Sequence, residues 1–284
     1  MSRRFDPMQP HGCLDTNTAN RTCSVIDEAY DDYDYESGGC NVSTLVESLA
    51  DLLLRNKRRN GILVTTVAMR LCKVMNTKRA CLEVVAAGGH TLLIAGLKEL
   101  VDNENIARIL SSCLSCFTLN FRKFCRGQLG VFYEMHQQGG THAVVHAMAR
   151  HPTKQDLQVT GITFITNMVL CGHHLGGPIK RAYVAHDVVN NLQGVKVVVN
   201  AMKSFPRYKL LQRNACVLLA TLCRLGSFRH NTEVMKTEAF VGVSLAAENF
   251  PTDPKVREAA DLFMREVVAV DFLRGLWCPV IYQP

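Results

Sequence analysis

The chain has 284 residues, 48% of them hydrophobic and 20% charged, and a formal net charge of +7 at pH 7. This composition is typical of a folded protein and excludes a disordered one. No run of about 18 apolar residues is present, and the first residues lack the apolar core of a signal peptide. We therefore expect an intracellular, cytoplasmic protein, whose twelve scattered cysteines pack as small hydrophobic side chains in a reducing compartment.

Residues 1–41 are predicted to form an irregular acidic arm. Residues 1–40 contain eight acidic and three basic side chains, a net charge of −5, so residues 41–284 carry +12. A basic body indicates acidic partners, among which tubulin, nucleic acid and acidic peptides remain open. Tyr33 and Tyr35 in this arm are candidate anchors for a partner, because tyrosine is common at binding hot spots.

Three segments of the chain end in the same way, at 144–152, 198–206 and 243–251, each with a closing proline. Proline cannot continue a helical hydrogen-bond ladder, so each segment is predicted to be a short helix that stops there. Nine residues after each proline stands a small residue, and apolar side chains follow it at the fourth and seventh positions. These spacings predict a second helix after each proline, with one apolar face.

Weaker copies of the same stripe begin at Val67 and Ser112. The small residues that begin the three stronger copies are Gly161, Ala215 and Ala260, and the five positions step by 45, 49, 54 and 45 residues. Glycine pairs at 88–89 and 139–140 punctuate the pattern. Five units of this length are typical of a helical repeat protein, so residues 42–269 are predicted to form one continuous stack.

The segments 161–168 and 215–222 resemble the armadillo-repeat motif, in which Ala-x-x-x-Leu-x-Asn-Leu begins the third helix of a unit. The resemblance covers about residues 42–269 and implies an all-α, armadillo-like α-solenoid, a right-handed superhelix of about five repeats with a concave groove. Importin-like members of the family carry a recurring Trp and Asn in that groove. Here only Asn167 matches, so recognition of basic localisation peptides in the importin manner is not expected.

The resemblance also places the helices after each proline along the groove. It implies that Lys73, Thr163, Asn167 and Thr221 face a ligand. Three cations early in such helices would lie at the groove or its rim and favour an acidic partner: Lys209, Arg213 and Arg257. Residues 270–284 form an apolar tail, in which Trp277 is expected to cap the last repeat or to anchor a partner.

The sequence contains no strong motif for metal binding, phosphate binding or catalysis. Cys113-x-x-Cys116, with Cys125 beyond, lacks the fourth ligand of a structural zinc site, so core packing is expected. The segment 171–178 contains cysteine, two histidines and glycines but no phosphate-loop lysine, so a turn is expected. The basic run at 55–59 is interpreted as a solvated turn, with a localisation signal or phosphate contact as the alternative. No catalytic signature occurs, and we expect no enzyme activity, no cofactor and no metal.

The expected function is that of a non-enzymatic protein-binding scaffold or a subunit of a larger hetero-assembly, which binds partners through the groove and both tails. A cytoskeletal or ciliary assembly on a tubulin-like acidic surface is one such setting. The alternative is a nucleic-acid-binding or transport adaptor that uses the basic solenoid surface. Few aromatic residues are interleaved with the cations, which disfavours base stacking.

Overall fold

The computed structural model describes residues 41–55, 61–125, 128, 130–172, 183–225 and 228–273. Within these ranges the regular structure consists of fourteen α-helices and one π-helical turn, with no β-strand. The prediction of an all-α fold is therefore confirmed for the part of the chain that the structure describes.

The fourteen helices are, in chain order, α1 (Val42–Arg55), α2 (Gly61–Val74), α3 (Lys78–Ala86), α4 (Gly89–Glu99), α5 (Glu104–Phe124), α6 (Gly130–Gln137), α7 (Gly140–Arg150), α8 (Gln155–Gly172), α9 (Tyr183–His186), α10 (Gly194–Ser204), α11 (Lys209–Leu225), α12 (Phe228–Met235), α13 (Ala239–Asn249) and α14 (Pro254–Leu273). The π-helical turn, Asp187–Asn191, directly continues α9.

From α3 onward the helices recur in threes, two shorter ones and then a long one. The long members are α5, α8, α11 and α14, and α2 precedes them with only α1 before it. Each of these helices packs against the next one in the series, so that α2, α5, α8, α11 and α14 form a continuous row. The five positions at which the sequence pattern predicts a stripe, 67, 112, 161, 215 and 260, fall one in each helix of this row.

The prolines mark helix ends as predicted. Helices α7, α10 and α13 end at Arg150, Ser204 and Asn249, each two residues before the proline. The last turn of each is closed by a backbone hydrogen bond, for example from the His151 amide to the Ala147 carbonyl at 3.1 Å. The chain then turns and begins the long helix, because proline prevents the preceding one from continuing.

The predicted stripe is correct in α8 and displaced in α5. Gly161, Ile165 and Met168 are all buried, and a Cβ atom on Gly161 would overlap the Met148 side chain of α7, so this small residue permits close packing. In α5, by contrast, Ser112 and Cys116 are only half-buried.

The displacement in α5 follows from where that helix begins. Asn103 caps it, its side chain accepting a hydrogen bond from the Ile106 amide at 3.2 Å. The carbonyls of Asn103 and Lys154 accept the first backbone hydrogen bonds of α5 and α8, so these two residues are equivalent. Leu110 lies seven residues after Asn103, and Gly161 lies seven residues after Lys154, so Leu110 is the counterpart of Gly161. Leu110 is fully buried, and the predicted copy was placed two residues too late.

The turn that precedes the second helix of each group has a left-handed residue. These residues are Gly88, Gly139, Gln193 and Glu238, with φ of 69°, 75°, 52° and 62°. Glycine adopts this conformation without strain, whereas another residue incurs about 1–2 kcal/mol. The predicted glycine pairs thus coincide with two of these turns, and the other two use non-glycine residues for the same geometry.

Among the described helices, no single one is long and apolar enough to cross a membrane. Helices α3 and α4 meet the length and composition criteria only as a pair, and they are bent by 67° at the break between them.

Candidate partner-binding surface

Three of the residues predicted to face a ligand lie inside the row of long helices. Thr163, Asn167 and Thr221 are each at most 1% exposed. The Asn167 Nδ2 donates to Thr118 Oγ1 of α5 at 3.4 Å, and the Asn214 Nδ2 of α11 donates to Thr163 Oγ1 at 3.2 Å. The structure therefore brings Thr163 and Asn167 into a polar seam that joins α5, α8 and α11, whereas Thr221 donates to the Val217 carbonyl of its own helix at 2.7 Å.

Arg213 belongs to the same seam. Its guanidinium is buried, its Nε lies 3.3 Å from Asn214 Oδ1, and burial lowers its pKa from the usual value. This differs from the expectation that these positions form an accessible groove. The physical reason is angular, because the core and groove faces of a helix lie only about 100° apart. In this structure the seam residues present no accessible surface to a partner.

The other predicted cations are exposed. Lys209 and Arg257 lie in the first turns of α11 and α14, and Lys73 lies in the last turn of α2. The Lys209 ammonium is 3.1 Å from the Asp253 carboxylate, the residue before α14. Lys209 is therefore already paired within the molecule, which weakens its attraction for an acidic partner.

Similar ion pairs join successive groups of helices at the surface. Lys154 lies 2.9 Å from Glu104, Arg150 lies 2.9 Å from Asp102, and Lys203 lies 2.6 Å from Glu238. Exposed pairs of this kind contribute about 0–1 kcal/mol each. Each pair sets one base against one acid, so these contacts add nothing to the net positive charge of the body.

Large apolar side chains are exposed at the α1–α2 end of the row. Leu54, Ile62, Leu63 and Met69 are 75%, 83%, 51% and 44% exposed. Helix α2 packs against α1 and α5, and within the described residues no further long helix covers its other side. We call these four side chains the N-terminal apolar face.

The two charged residues of α2 next to this face are basic, whereas Asp51 on α1 is an exposed acid one turn before Leu54. Arg70 and Lys73 are exposed on α2 beside Met69, and the α2 sequence contains no acidic residue. The last helix of the row has a different outer surface. The exposed side chains on the described part of α14 include four charged residues: Arg257, Glu258, Asp261 and Arg265. One end of the row is therefore apolar and basic, and the other is polar with mixed charge.

The predicted core role of Cys113 is supported by its burial, and Cys125 is buried as well. Both are free thiols, as is the half-buried Cys116. Across the described ranges, no group of three or more His, Cys, Asp or Glu side chains has an arrangement that could hold a metal ion.

Several predicted sites lie outside the described residues. They are Tyr33 and Tyr35 of the arm, Trp277 of the tail, the basic positions 57–59 and the histidine and glycine residues of 173–178.

The sequence-based prediction missed the N-terminal apolar face. A signal was present, because the segment 61–74 contains only two charged residues and has apolar side chains on every side. That pattern is typical of a helix covered all round, and only the packing reveals that one side is open. Comparisons with protein-family models, with curated proteins and with solved structures found no match to this chain.

Proposed function

We propose that the described helices form an armadillo-like solenoid of about five units, the first of which begins at α1. The recurrence of two shorter helices and a long one supports this proposal. So does a hydrogen-bond pattern that repeats at an offset of 54 residues. Gln158 donates to the carbonyls of Met148 and His151, and Gln212 donates to those of Met202 and Phe205. Two units with the same side chain on the same acceptors are expected of a true structural repeat.

We further propose that this chain is a non-enzymatic protein-binding scaffold that takes a partner on its N-terminal apolar face. The observation that carries the proposal is the exposure of Leu54, Ile62, Leu63 and Met69 together at one end of the helix row. The outer faces of terminal repeats are normally polar, since water must solvate them. Several large apolar side chains exposed at such an end support an interaction site there.

The partner that fits this face is an amphipathic protein helix with an apolar stripe and acidic flanks. A helix laid along α2 would continue the helix-on-helix packing of the row and cover Ile62 and Met69. Arg70 is exposed beside Met69, so acidic flanks are complementary and basic flanks are repelled. This chemistry suits a subunit of a hetero-assembly with acidic surfaces.

The test uses two labelled synthetic helices with the same leucine stripe, one flanked by glutamates and the other by lysines. Fluorescence anisotropy measures their binding to the full chain. The double variant I62E/M69E should weaken binding of the glutamate-flanked helix more than about 10-fold, since charges replace two buried apolar contacts. The matched control is V241E/L245E, which changes two similarly exposed apolar residues on α13 and should leave binding unchanged.

Three results would contradict the proposal. The first is equal binding of the two helices, or none, and the second is equal loss of binding in both variants. The third is tighter binding of duplex DNA with a steep dependence on salt, which would favour the nucleic-acid adaptor. Sedimentation of the free chain tests for self-association. If the chain forms a dimer and I62E/M69E abolishes it, the N-terminal apolar face binds a second copy of the chain instead of a different protein.

A further inference from the structure

Three thiols meet where α2 packs against α5. Cys113 Sγ donates to the Ala68 carbonyl at 3.0 Å, and Cys116 Sγ lies 3.5 Å from the Cys72 carbonyl oxygen. Hydrogen bonding among the three thiols also shifts their pKa values, lowering that of Cys72 and raising those of Cys113 and Cys116. Two cysteines of one helix thus touch a third cysteine on the neighbouring helix, 41 and 44 residues earlier in the chain.

The three thiols differ in access to solvent. Cys72 and Cys116 are partly exposed, whereas Cys113 is buried. The Asn120 Nδ2 lies 3.4 Å from Cys116 Sγ and also donates to the Met75 carbonyl at 2.8 Å. The Asn120 amide favours a Cys116 thiolate, but the hydrogen bond with Cys72 and burial outweigh it and raise the pKa of the Cys116 thiol well above its usual value.

Hydrogen bonds from Cys113 and Cys116 hold the pKa of the Cys72 thiol well below its usual value, although burial acts in the opposite direction. Other cysteines in the row behave differently, because burial raises the pKa of Cys216 and of Cys223 to about 12. The thiolate is the nucleophilic form of cysteine, so reactivity is expected to concentrate at Cys72.

We propose that Cys72 and Cys116 form a site of reversible oxidation by hydroperoxides. The Cys72 thiolate attacks the terminal oxygen of the peroxide, the O–O bond breaks, and the alkoxide or hydroxide that leaves takes a proton from water. Cys72 is then a sulfenic acid. The Cys116 sulfur attacks the Cys72 sulfur, the S–O bond breaks, and the departing hydroxide combines with the Cys116 proton as water. Two thiols are oxidised to one disulfide, and one peroxide is reduced to an alcohol or water.

The disulfide would join α2 covalently to α5, the next long helix of the row. Cys113 takes a different role, since it is buried and its thiol donates to the Ala68 carbonyl. Thiol–disulfide exchange would reverse the bond, because both sulfurs are partly exposed.

The experiment treats the full chain with hydrogen peroxide, blocks remaining thiols with an alkylating reagent and maps the cysteines by peptide mass spectrometry. We expect a Cys72–Cys116 disulfide, with Cys72 consumed more than about 10-fold faster than Cys216. In C116S the disulfide should vanish, and a dimedone adduct of the sulfenic acid should accumulate at Cys72. The matched control C216S, which removes a buried thiol of α11, should react as the wild type does.

Two results would overturn the proposal. One is consumption of Cys72 no faster than that of Cys216 in the wild-type chain, a comparison that needs no variant to fold. The other is a disulfide that survives C116S and disappears in C113S, which would identify Cys113 as the partner sulfur. Far-ultraviolet circular dichroism of each variant separates loss of reactivity from loss of fold.

Discussion

Two buried histidines are the most unusual residues of the described helices. His136 on α6 places Nε2 2.9 Å from the Asp187 carboxylate and Nδ1 3.2 Å from Thr141 Oγ1. His90 on α4 stacks on Phe117 with ring centroids 6.0 Å apart, and its Nε2 lies 3.5 Å from the Glu134 carboxylate. Burial lowers the pKa of both histidines, and the neighbouring carboxylates, Asp187 and Glu134, offset this only in part.

These shifts predict that the protein loses stability on acidification. A histidine with a lowered pKa in the folded state binds its proton first in the unfolded state, where the pKa is about 6.5. Stability is complete above that pKa and falls as the pH drops through it towards the lower folded-state pKa. Urea unfolding should therefore give a smaller free energy of unfolding at about pH 5.5 than at about pH 7.5.

The variant H90F separates this effect from general acid sensitivity. Phenylalanine keeps the stacking on Phe117, removes the ring nitrogens and their contact with Glu134, and cannot be protonated, so at about pH 7.5 stability should change by less than about 1.5 kcal/mol. The fall in stability towards about pH 5.5 should be smaller than in the wild type. An identical fall in both proteins would show that the His90 pKa is not lowered.

At the scale of elements, a glutamine on two long helices ties each of them to the helix before it. Gln158 Nε2 donates to the carbonyls of Met148 and His151 at 2.9 and 3.0 Å, and Gln212 repeats this geometry at 2.8 and 3.0 Å. The carbonyls of Met148 and Met202 lie at the C-terminal ends of α7 and α10, where helix carbonyls lack a partner within the helix. Those of His151 and Phe205 follow the helices and also accept from the amides of Lys154 and Tyr208. Both glutamines are buried, so no water can replace their bonds.

We predict that Q158L and Q212L each destabilise the protein by about 1–3 kcal/mol, because they leave the Met148 and Met202 carbonyls, respectively, without a donor. Q158E should cost more at neutral pH, since a carboxylate would face two carbonyl oxygens, and should recover in part where the acid is protonated. Chemical denaturation measures all three, with Q137L at an exposed position of α6 as the control. A cost for Q158L no larger than that for Q137L would contradict a structural role for the glutamine.

Much of this element structure could be predicted from sequence, because its determinants are local. Prolines at 152, 206 and 251 stop helices whatever they pack against, and the small residue at 161 sets a close approach that the spacing of side chains already indicates. The register of α5 was missed, since its cap, Asn103, is a weaker signal than a proline. The seam was placed on the wrong face because a polar residue on a helix can serve either a groove or an internal hydrogen bond.

The candidate sites were less predictable, since they depend on contacts distant in sequence. Cys72 is unremarkable in its own segment, and only the packing of α2 on α5 brings it to Cys113 and Cys116. Likewise, the sequence around Ile62 and Met69 is typical of core residues. Only the structure shows that α2 is the first long helix of the described row and leaves these two side chains exposed. The asymmetry between an apolar first end and a charged last end is a property of the whole molecule.

At that scale, the row of long helices predicts how a local defect spreads. Each long helix contacts mainly the one before and the one after it, so stability should be close to a sum of nearest-neighbour terms. A defect at one end should then open that end and leave the other protected, whereas a protein with a single interleaved core would loosen throughout.

Leu71 and Ile165 test this, because both are fully buried, the former on α2 at the end of the row and the latter on α8 at its centre. Truncation to alanine costs about 2–5 kcal/mol at such sites. Hydrogen exchange of L71A should accelerate in α1 to α5 with little change from α11 to α14, while I165A should accelerate exchange on both sides of α8. If L71A accelerated exchange equally through α14, the helices would unfold as one unit, and the independence of the two ends would be lost along with the nearest-neighbour description.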